Sequence, residues 1–355
     1  LCKVEGRKGL VQVTEFLAES HPVLLESRVQ NRSFWEQPTT LDVVICNYNT
    51  VNLLRNCLKT VFASRTVFPF RVVVVDNGST DFSAEMVQQE FLPYYSNLLL
   101  IHSPENVGFS AGNNLALRRI CPLPEDKVYN PLYVGAKAQA KYLLLLNPDT
   151  EVPLSAFQKM FDFMEATPQA GVVGAKLIKA NGELDWACRR SFPTPAVSLY
   201  RMLGLSKLFP TNQKFARYNL TFLDPDTLYE VDSVCGAFMW MRGSALEQVG
   251  ILDEAFFMYG EDLDWALRFK QQGWKVFYNP VTTVLHLKGE SSKQRSSGAI
   301  FNFYHAMDVF YKKHYAKQTF FLLNWLILAG IWGKALLALA INATKPKAKR
   351  RVSKQ

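Results

Sequence analysis

The sequence predicts an α/β fold, a mostly parallel sheet flanked by helices. Three observations carry this. Four short apolar runs, in "LDVVICNYN", "FRVVVVDNGSTD", "NLLLIHS" and "KYLLLLNPDTEV", show no polar alternation, as expected of strands buried on both faces. Helical patterns separate the first three runs and follow the third. Polar turn residues gather after the strands, at the carboxyl ends, where open α/β sheets bind ligands.

Each element follows in order. Residues 41–49 begin as a strand and break at Asn47-Tyr48-Asn49. Residues 51–64 carry Leu54, Cys57, Leu58 and Val61 on one helical face. The second strand ends in Asp76-Asn77-Gly78-Ser79, and 83–92 reads as the next helix. The third strand, 97–103, leads into "PENVGFSAGNNLALRRI", a glycine-punctuated loop running into a helix. The fourth strand turns abruptly at Asn147-Pro148-Asp149-Thr150. Asn47, Asp76, Asn106 and Asp149 are therefore expected on one rim. Segment 121–140 lacks periodicity and reads as a surface insertion. Beyond 171 the strands shorten ("GVVGAKLI", "LYEVDSV", "GAFMWMR") and mix with proline-rich connections, a less regular second half of the same unit. A helix is expected over 262–272, with Gly273 ending it.

Composition narrows the class. With 355 residues, 48% of them hydrophobic, the chain can bury one large core or two modest ones. The net charge of +9 is largely a tail, "KPKAKRRVSKQ", with six Lys and Arg and no acid. The six cysteines form no C-x-x-C pair, which argues against zinc, and Cys46 and Cys57 read as buried small hydrophobes in a reducing compartment. The first forty residues lack the unbroken apolar region of a secretory signal. Residues 319–341 are almost wholly apolar and, as a helix, span roughly 35 Å, enough for a bilayer. Basic residues flank both ends, so crossing, re-entrant and in-plane placements all stay open. The basic tail beside this helix reads as a lipid contact, and no nucleic-acid partner is expected.

Candidate chemistry lies in five places. Asp149, just past a buried strand, suits Mg²⁺ or Mn²⁺ on a nucleotide diphosphate, which needs only one or two protein carboxylates. Asp76 is the first polar group after four valines and can accept hydrogen bonds from a base edge or a ribose. Gly108 and Gly112 permit close backbone approach to a ligand. Glu261, Asp262 and Asp264 crowd the first turn of a helix, where one of them can act as a base toward a hydroxyl. His286 closes a strand pattern and suits either a metal or a phosphate. Neither a dinucleotide fingerprint nor a P-loop occurs.

These pieces, in register over about residues 41–292, resemble the family 2 glycosyltransferases of GT-A fold, nearest their bacterial rhamnosyltransferase-like branch. The likeness rests on "VVICNYN", "VVVVDNGSTD", "NVGFSAGNN", "LLLLNPDTEV", the long segment from "GAFMWMRG" through "FFMYGEDLDWALRFKQQGW", and "VLHLKGESS". It implies a GT-A (Rossmann-like) sheet over 39–315, after an unassigned 1–38, followed by a membrane-associated helix over 316–344 and the basic tail 345–355. It implies inverting transfer of a sugar, with rhamnose the sugar it points to, from a dTDP- or UDP-linked donor. The acceptor would be a hydroxyl of a glycan or a lipid-linked acceptor in cell-surface polysaccharide synthesis, at the cytoplasmic face of the plasma membrane. By that likeness Asn47 and Tyr48 lie against the base and Asp76 bonds it. Asn106, Gly108, Gly112 and Asn113 shape the nucleotide pocket, and Asp149 holds the divalent metal where the family's D-x-D motif ends. Asn147 stands where that motif has its first acid. Asp262 matches the general base, with Glu261 and Asp264 beside it, and Trp265 and Arg268 shape the acceptor side. Two other classes remain: a degenerate, non-catalytic sugar-nucleotide-binding or membrane-scaffold protein, which Asn147 favours, and a nucleotidyltransferase, which would need a glycine-rich activating loop absent from 41–60.

Overall fold

The computed structural model describes residues 34, 35, 37, 39–124, 130–287 and 296–344. The expectations for 1–33, for the basic tail and for the Gly-Ser stretch after His286 lie outside these residues.

The first half follows the predicted alternation. Strand β1 (Leu41–Asn47), helix α1 (Val51–Phe62), β2 (Phe70–Asn77), α2 (Ser83–Glu90), β3 (Leu98–Ser103), α3 (Phe109–Ile120) and β4 (Tyr142–Leu146) come in that order. β2, β1 and β4 are buried almost end to end, which is why their sequences are unbroken apolar runs. β1 pairs in parallel with β2 on one side and β4 on the other, and β2 pairs in parallel with β3. The Asn47↔Asp76 register pair aligns the polar ends of β1 and β2, as the rim requires.

The second half departs from a simple parallel continuation. It contains β5 (Thr150–Glu151), α4 (Ala156–Ala166), β6 (Ala170–Ile178), α5 (Pro195–Met202), α6 (Leu205–Leu208), β7 (Tyr229–Val231), β8 (Phe238–Arg242), α7 (Gly243–Val249), α8 (Glu261–Gln271), β9 (Lys275–His286), α9 (Ser296–His314) and α10 (Phe321–Thr344). β8 inserts between β4 and β6, antiparallel to both, so the sheet runs β3-β2-β1-β4-β8-β6-β9-β5, with β7 on β9. The start of β8 thereby lies beside the end of β4, in the register Leu146↔Phe238.

One expectation is corrected here. Segment 121–140 is not merely a surface insertion: Cys121, Ala136 and Ala140 are buried, and Leu132 accepts a backbone hydrogen bond from Ile251 (2.7 Å). Ahead of β1, in the stretch left unassigned, Phe34 joins the core. Phe34 and Trp35 lie 4.8 and 5.3 Å from the Arg71 guanidinium. Arg71 in turn forms a two-pronged pair with Asp42 (2.8 and 2.9 Å) across β1 and β2, both side chains sealed from solvent.

Candidate active site

The rim begins where β1 and β2 run out of apolar residues. Asn47 donates to Ser79 Oγ (3.2 Å) and accepts from Thr50. Asn49 accepts from the Thr80 backbone N–H (2.7 Å), and Asp81 accepts from the Val51 N–H (2.8 Å), capping α1 from the neighbouring loop. Tyr48 sits half-buried between them. These contacts fix the two strand ends against each other and leave one group unused. Asp76 accepts from the Ser79 N–H (3.3 Å) through Oδ2, but its Oδ1 is buried without a donor.

Asn77 ties the rim to the glycine loop. Its amide donates to Asn106 Oδ1 (3.3 Å) and the Gly108 carbonyl (3.0 Å), and it accepts from the Val107 N–H. Both glycines allow close packing within the protein itself. A Cβ on Gly112 would stand 2.6 Å from Cys46 Sγ, so this glycine lets α3 close onto β1. A Cβ on Gly108, which has φ +94°, would meet the Phe257 carbonyl at 2.6 Å. Asn113 is buried in α3 and donates to the Phe109 carbonyl one turn back (2.8 Å). Gly108, Gly112 and Asn113 thus shape the rim by packing, while Asn106 stays half-exposed beside Asp76.

At the end of β4, Asn147 and Asp149 each present a buried Oδ1 with no close donor. His286 Nε2 lies 3.4 Å from Asp149 Oδ1, long for a hydrogen bond, and its Nδ1 lies 3.0 Å from Asp185 Oδ2. Burial works to lower the His286 pKa, but the two carboxylates outweigh it and raise it to about 9. Asp185 was missed by the sequence reading. Its other oxygen accepts from the Ala187 N–H at the start of a single helical turn, a cap too short to signal itself. Because the two ring nitrogens point apart, the three side chains lie in a line. Among the described residues no three His, Cys, Asp or Glu converge as a ready metal cage. The donor set still fits a hard divalent ion completed by phosphate oxygens: one carboxylate and one amide oxygen, both buried and unsatisfied, with an imidazole adjacent.

The acids of α8 come to this rim through β8. Tyr259 and Gly260 both have left-handed backbone (φ 72° and 80°), a strained approach that turns the chain sharply into the helix. Asp262 Oδ2 accepts from Arg190 (2.6 Å) and from the Gly236 N–H (3.2 Å), and Oδ1 accepts from the Leu263 N–H (2.8 Å). The next residue, Ala237, accepts from the Asn147 N–H (3.1 Å). Gly236–Ala237 therefore joins the carboxylate of Asp262 to the end of β4. Burial pushes the neighbouring Glu261 carboxyl well above the usual carboxylate range, and the Asp262 charge pushes the same way. Glu261 Oε2 has no partner.

Three expected acceptor contacts are corrected. Trp265 is fully buried and donates to the Gly250 carbonyl (2.8 Å). Arg268 bonds the carbonyls of Val249 and Ile251 (2.7 and 2.8 Å) and Asp264 (2.9 Å). Burial alone would raise Asp264, yet His314, Arg268 and Lys313 hold it down to about 2. Helical spacing turns all three inward, away from the rim, where they lock α8 to α7 and α9. A cavity of about 480 Å³ is lined by Phe192, Thr194, Val197, Tyr200, Lys214 and Asp232, among others. Phe192 follows Arg190 by two residues and donates its N–H to Asp232 (3.2 Å).

The sequence model of the family described as Glycosyl transferase family 2 matches residues 42–120, the β1 to α3 segment that builds the rim. The chain is 27% identical over 224 residues to an N-acetylglucosaminyl-diphospho-decaprenol L-rhamnosyltransferase of Mycobacterium tuberculosis, covering 63% of this chain and 68% of that one. It is 25% identical over 222 residues to the rhamnosyltransferase WbbL of Escherichia coli (61% and 72%). A hexosyltransferase of low-salt glycan biosynthesis from Haloferax volcanii is 24% identical over 253 residues (70% and 69%). Among solved structures, a mannosyltransferase from Pyrobaculum calidifontis, in complex with GDP-Man and Mn²⁺, superposes with a TM-score of 0.50 at 14% identity (95% and 86%). That likeness shows the fold, a GT-A glycosyltransferase architecture.

Proposed function

We propose, for a chain that carries a family 2 glycosyltransferase domain, that it is an inverting enzyme moving rhamnose or a related hexose from a dTDP- or UDP-linked donor to a hydroxyl of a lipid-linked glycan. The observation that carries this reading is the run of buried, unsatisfied oxygens along one rim, Asp76, Asn147 and Asp149, joined to Asp262 through Gly236–Ala237. A buried acceptor without a donor costs about 1–3 kcal/mol, so three of them together argue for a ligand that satisfies them.

In this reading Asp76 accepts from the base or ribose, with Asn47, Tyr48 and Asn106 around it. Asn147 and Asp149 would hold a divalent ion, Mn²⁺ or Mg²⁺, with His286 as a further ligand once it gives up its proton, and the ion would neutralise charge on the departing diphosphate. Asp262 accepts the proton of the acceptor hydroxyl. The oxygen forms its bond to the anomeric carbon on the face opposite the diphosphate, and the nucleoside diphosphate leaves with the electrons of the broken bond. Arg190 and the Gly236 N–H hold Asp262 in position for that transfer. Phe192, Tyr200 and Lys214 line the side from which a sugar with a charged carrier would arrive. Because a nucleotide-activated donor is made inside the cell, the reaction belongs at the cytoplasmic face of the plasma membrane, in cell-surface polysaccharide synthesis.

The test is turnover of a panel of nucleotide sugars by the purified chain, with and without Mn²⁺, alongside thermal stabilisation by each. The expected result is selective stabilisation and transfer by one donor, with the metal effect lost in Asp149→Ala. Stabilisation by a donor without transfer to any lipid-linked acceptor would favour a non-catalytic nucleotide-binding protein.

A further inference from the structure

Helix α10 directs Asn324, Lys334 and Asn342 to partners on one side. Asn324 donates to the Ala316 carbonyl (2.8 Å) and accepts from the Tyr311 hydroxyl. Lys334 donates to the Met202 carbonyl (3.2 Å), and Asn342 donates to Ser297 (3.1 Å). Ile331 and Ala335 are buried on that same side. The opposite side exposes Phe321, Trp325, Leu326, Leu336, Leu337 and Ile341. The sequence pattern left crossing, re-entrant and in-plane placements open; these contacts distinguish them. Tyr311 and Ser297 lie near opposite ends of α9, so α10 is docked antiparallel along nearly its whole length. α9 carries Asp308, Lys312 and Lys313, and packs Ala306 and Phe310 against Phe256 and Leu263 at the active-site helix. A helix so held cannot cross a bilayer without taking charged α9 with it, whereas its outward face can enter one leaflet.

A second element continues that face. Met202 lies against α10, through Lys334 and at 3.7 Å from the Cβ position of Gly330. From there α5, α6 and the residue that follows expose Leu199, Leu203, Leu208 and Phe209. Exposed Lys207 lies in α6 and exposed Lys317 in the turn that leads from α9 into α10, and six Lys and Arg follow the end of α10 in the sequence. Such an apolar surface with a basic border is matched to an anionic lipid surface. We propose that α10 and the α5–α6 segment form one in-plane platform that seats the protein on a single anionic leaflet, with no part of α10 crossing it. α5 lines the Phe192–Lys214 cavity with Val197 and Tyr200 and exposes Leu199, so that cavity lies beside this platform. The proposal does not rest on the transfer reaction.

Flotation of the full chain with phosphatidylcholine vesicles, with and without phosphatidylglycerol, tests it. Binding is expected to phosphatidylglycerol vesicles and to weaken as salt rises from about 0.1 to about 1 M. Leu336→Glu/Leu337→Glu and Leu203→Glu/Leu208→Glu are each expected to lower binding by about tenfold or more. Their unfolding temperatures should match the parent, because these side chains are exposed. Phe320→Cys and Thr344→Cys, bound to preformed vesicles, should both react with an impermeant maleimide above the parent background. Protection of Thr344→Cys alone would mean crossing and overturn the proposal. Undiminished binding by the Leu203→Glu/Leu208→Glu variant would also overturn it. So would a chain that ignores vesicles and instead forms a dimer dissociated by Leu336→Glu/Leu337→Glu.

Discussion

Replacing Asp262 by Asn separates the catalytic from the structural use of this carboxylate. The amide keeps the shape but offers one acceptor oxygen instead of two. Its oxygen can still face Arg190 and Gly236, which leaves its NH₂ toward the Leu263 N–H, donor against donor. Arg190, buried with a side-chain exposure of 10%, then loses its counter-charge. Breaking a buried pair costs roughly 3–5 kcal/mol, and the retained oxygen argues for the low end, about 3 kcal/mol. Loss of a general base costs about 10²–10⁴ in kcat. Donor affinity should change little, because the proposed base and phosphate contacts lie on the other strands. The double variant Arg190→Met/Asp262→Asn removes both charges and should recover most of the stability while remaining inactive. Urea unfolding followed by tryptophan fluorescence, initial rates of transfer, and donor titration read the three quantities separately. Transfer within about tenfold of the parent in Asp262→Asn, or activity regained in the double variant, would refute the assignment.

Three further outcomes follow from contacts described above. Arg71→Met should cost about 3–5 kcal/mol by stranding buried Asp42, and Asp42→Leu/Arg71→Met should recover most of it, both measured by urea midpoint. The folded pKa of His286, about 9, lies above its ordinary 6.5. Its protonated form therefore stabilises the fold below pH 6.5, by roughly 3 kcal/mol, and that contribution is lost as pH rises through 9. Unfolding temperatures of the parent and His286→Gln should accordingly differ at pH 6 and converge at high pH. Gly112→Ala should destabilise by about 1–3 kcal/mol, because its Cβ meets Cys46 Sγ at 2.6 Å, and should weaken nucleotide-dependent stabilisation by shifting α3 from the rim.

The legible part of the fold was the part whose burial is two-sided. β1, β2 and β4 announce themselves because nothing polar can sit on either face. The same logic put Asp76 and Asp149 at the rim, since each is the first charge after such a run. The place of β8 between β4 and β6 had no local signal: antiparallel insertion depends on a partner far along the chain. Arg190 was illegible for the same reason, its carboxylate lying 72 residues away. The glycines carried a true signal of close approach, but sequence cannot say to what. For Gly112 the neighbour is a cysteine side chain and for Gly108 a backbone carbonyl. Trp265 and Arg268 were misread because they share a helix with Asp262, although residues three and four apart from Glu261 and Asp264 share their inward face.

The reversal of strand direction between β4 and β8 separates the site in time as well as in space. Residues 41–151 are contiguous and pair mostly with near neighbours, so the rim around Asn47 and Asp76 can assemble as the chain leaves the ribosome. Gly236 and Asp262 emerge only later, and they reach that rim solely by slotting a strand in against the grain of the sheet. If the proposed function holds, a half-made chain would carry its cosubstrate pocket without the group that spends it, and ribosome-bound intermediates would be inert toward activated sugars.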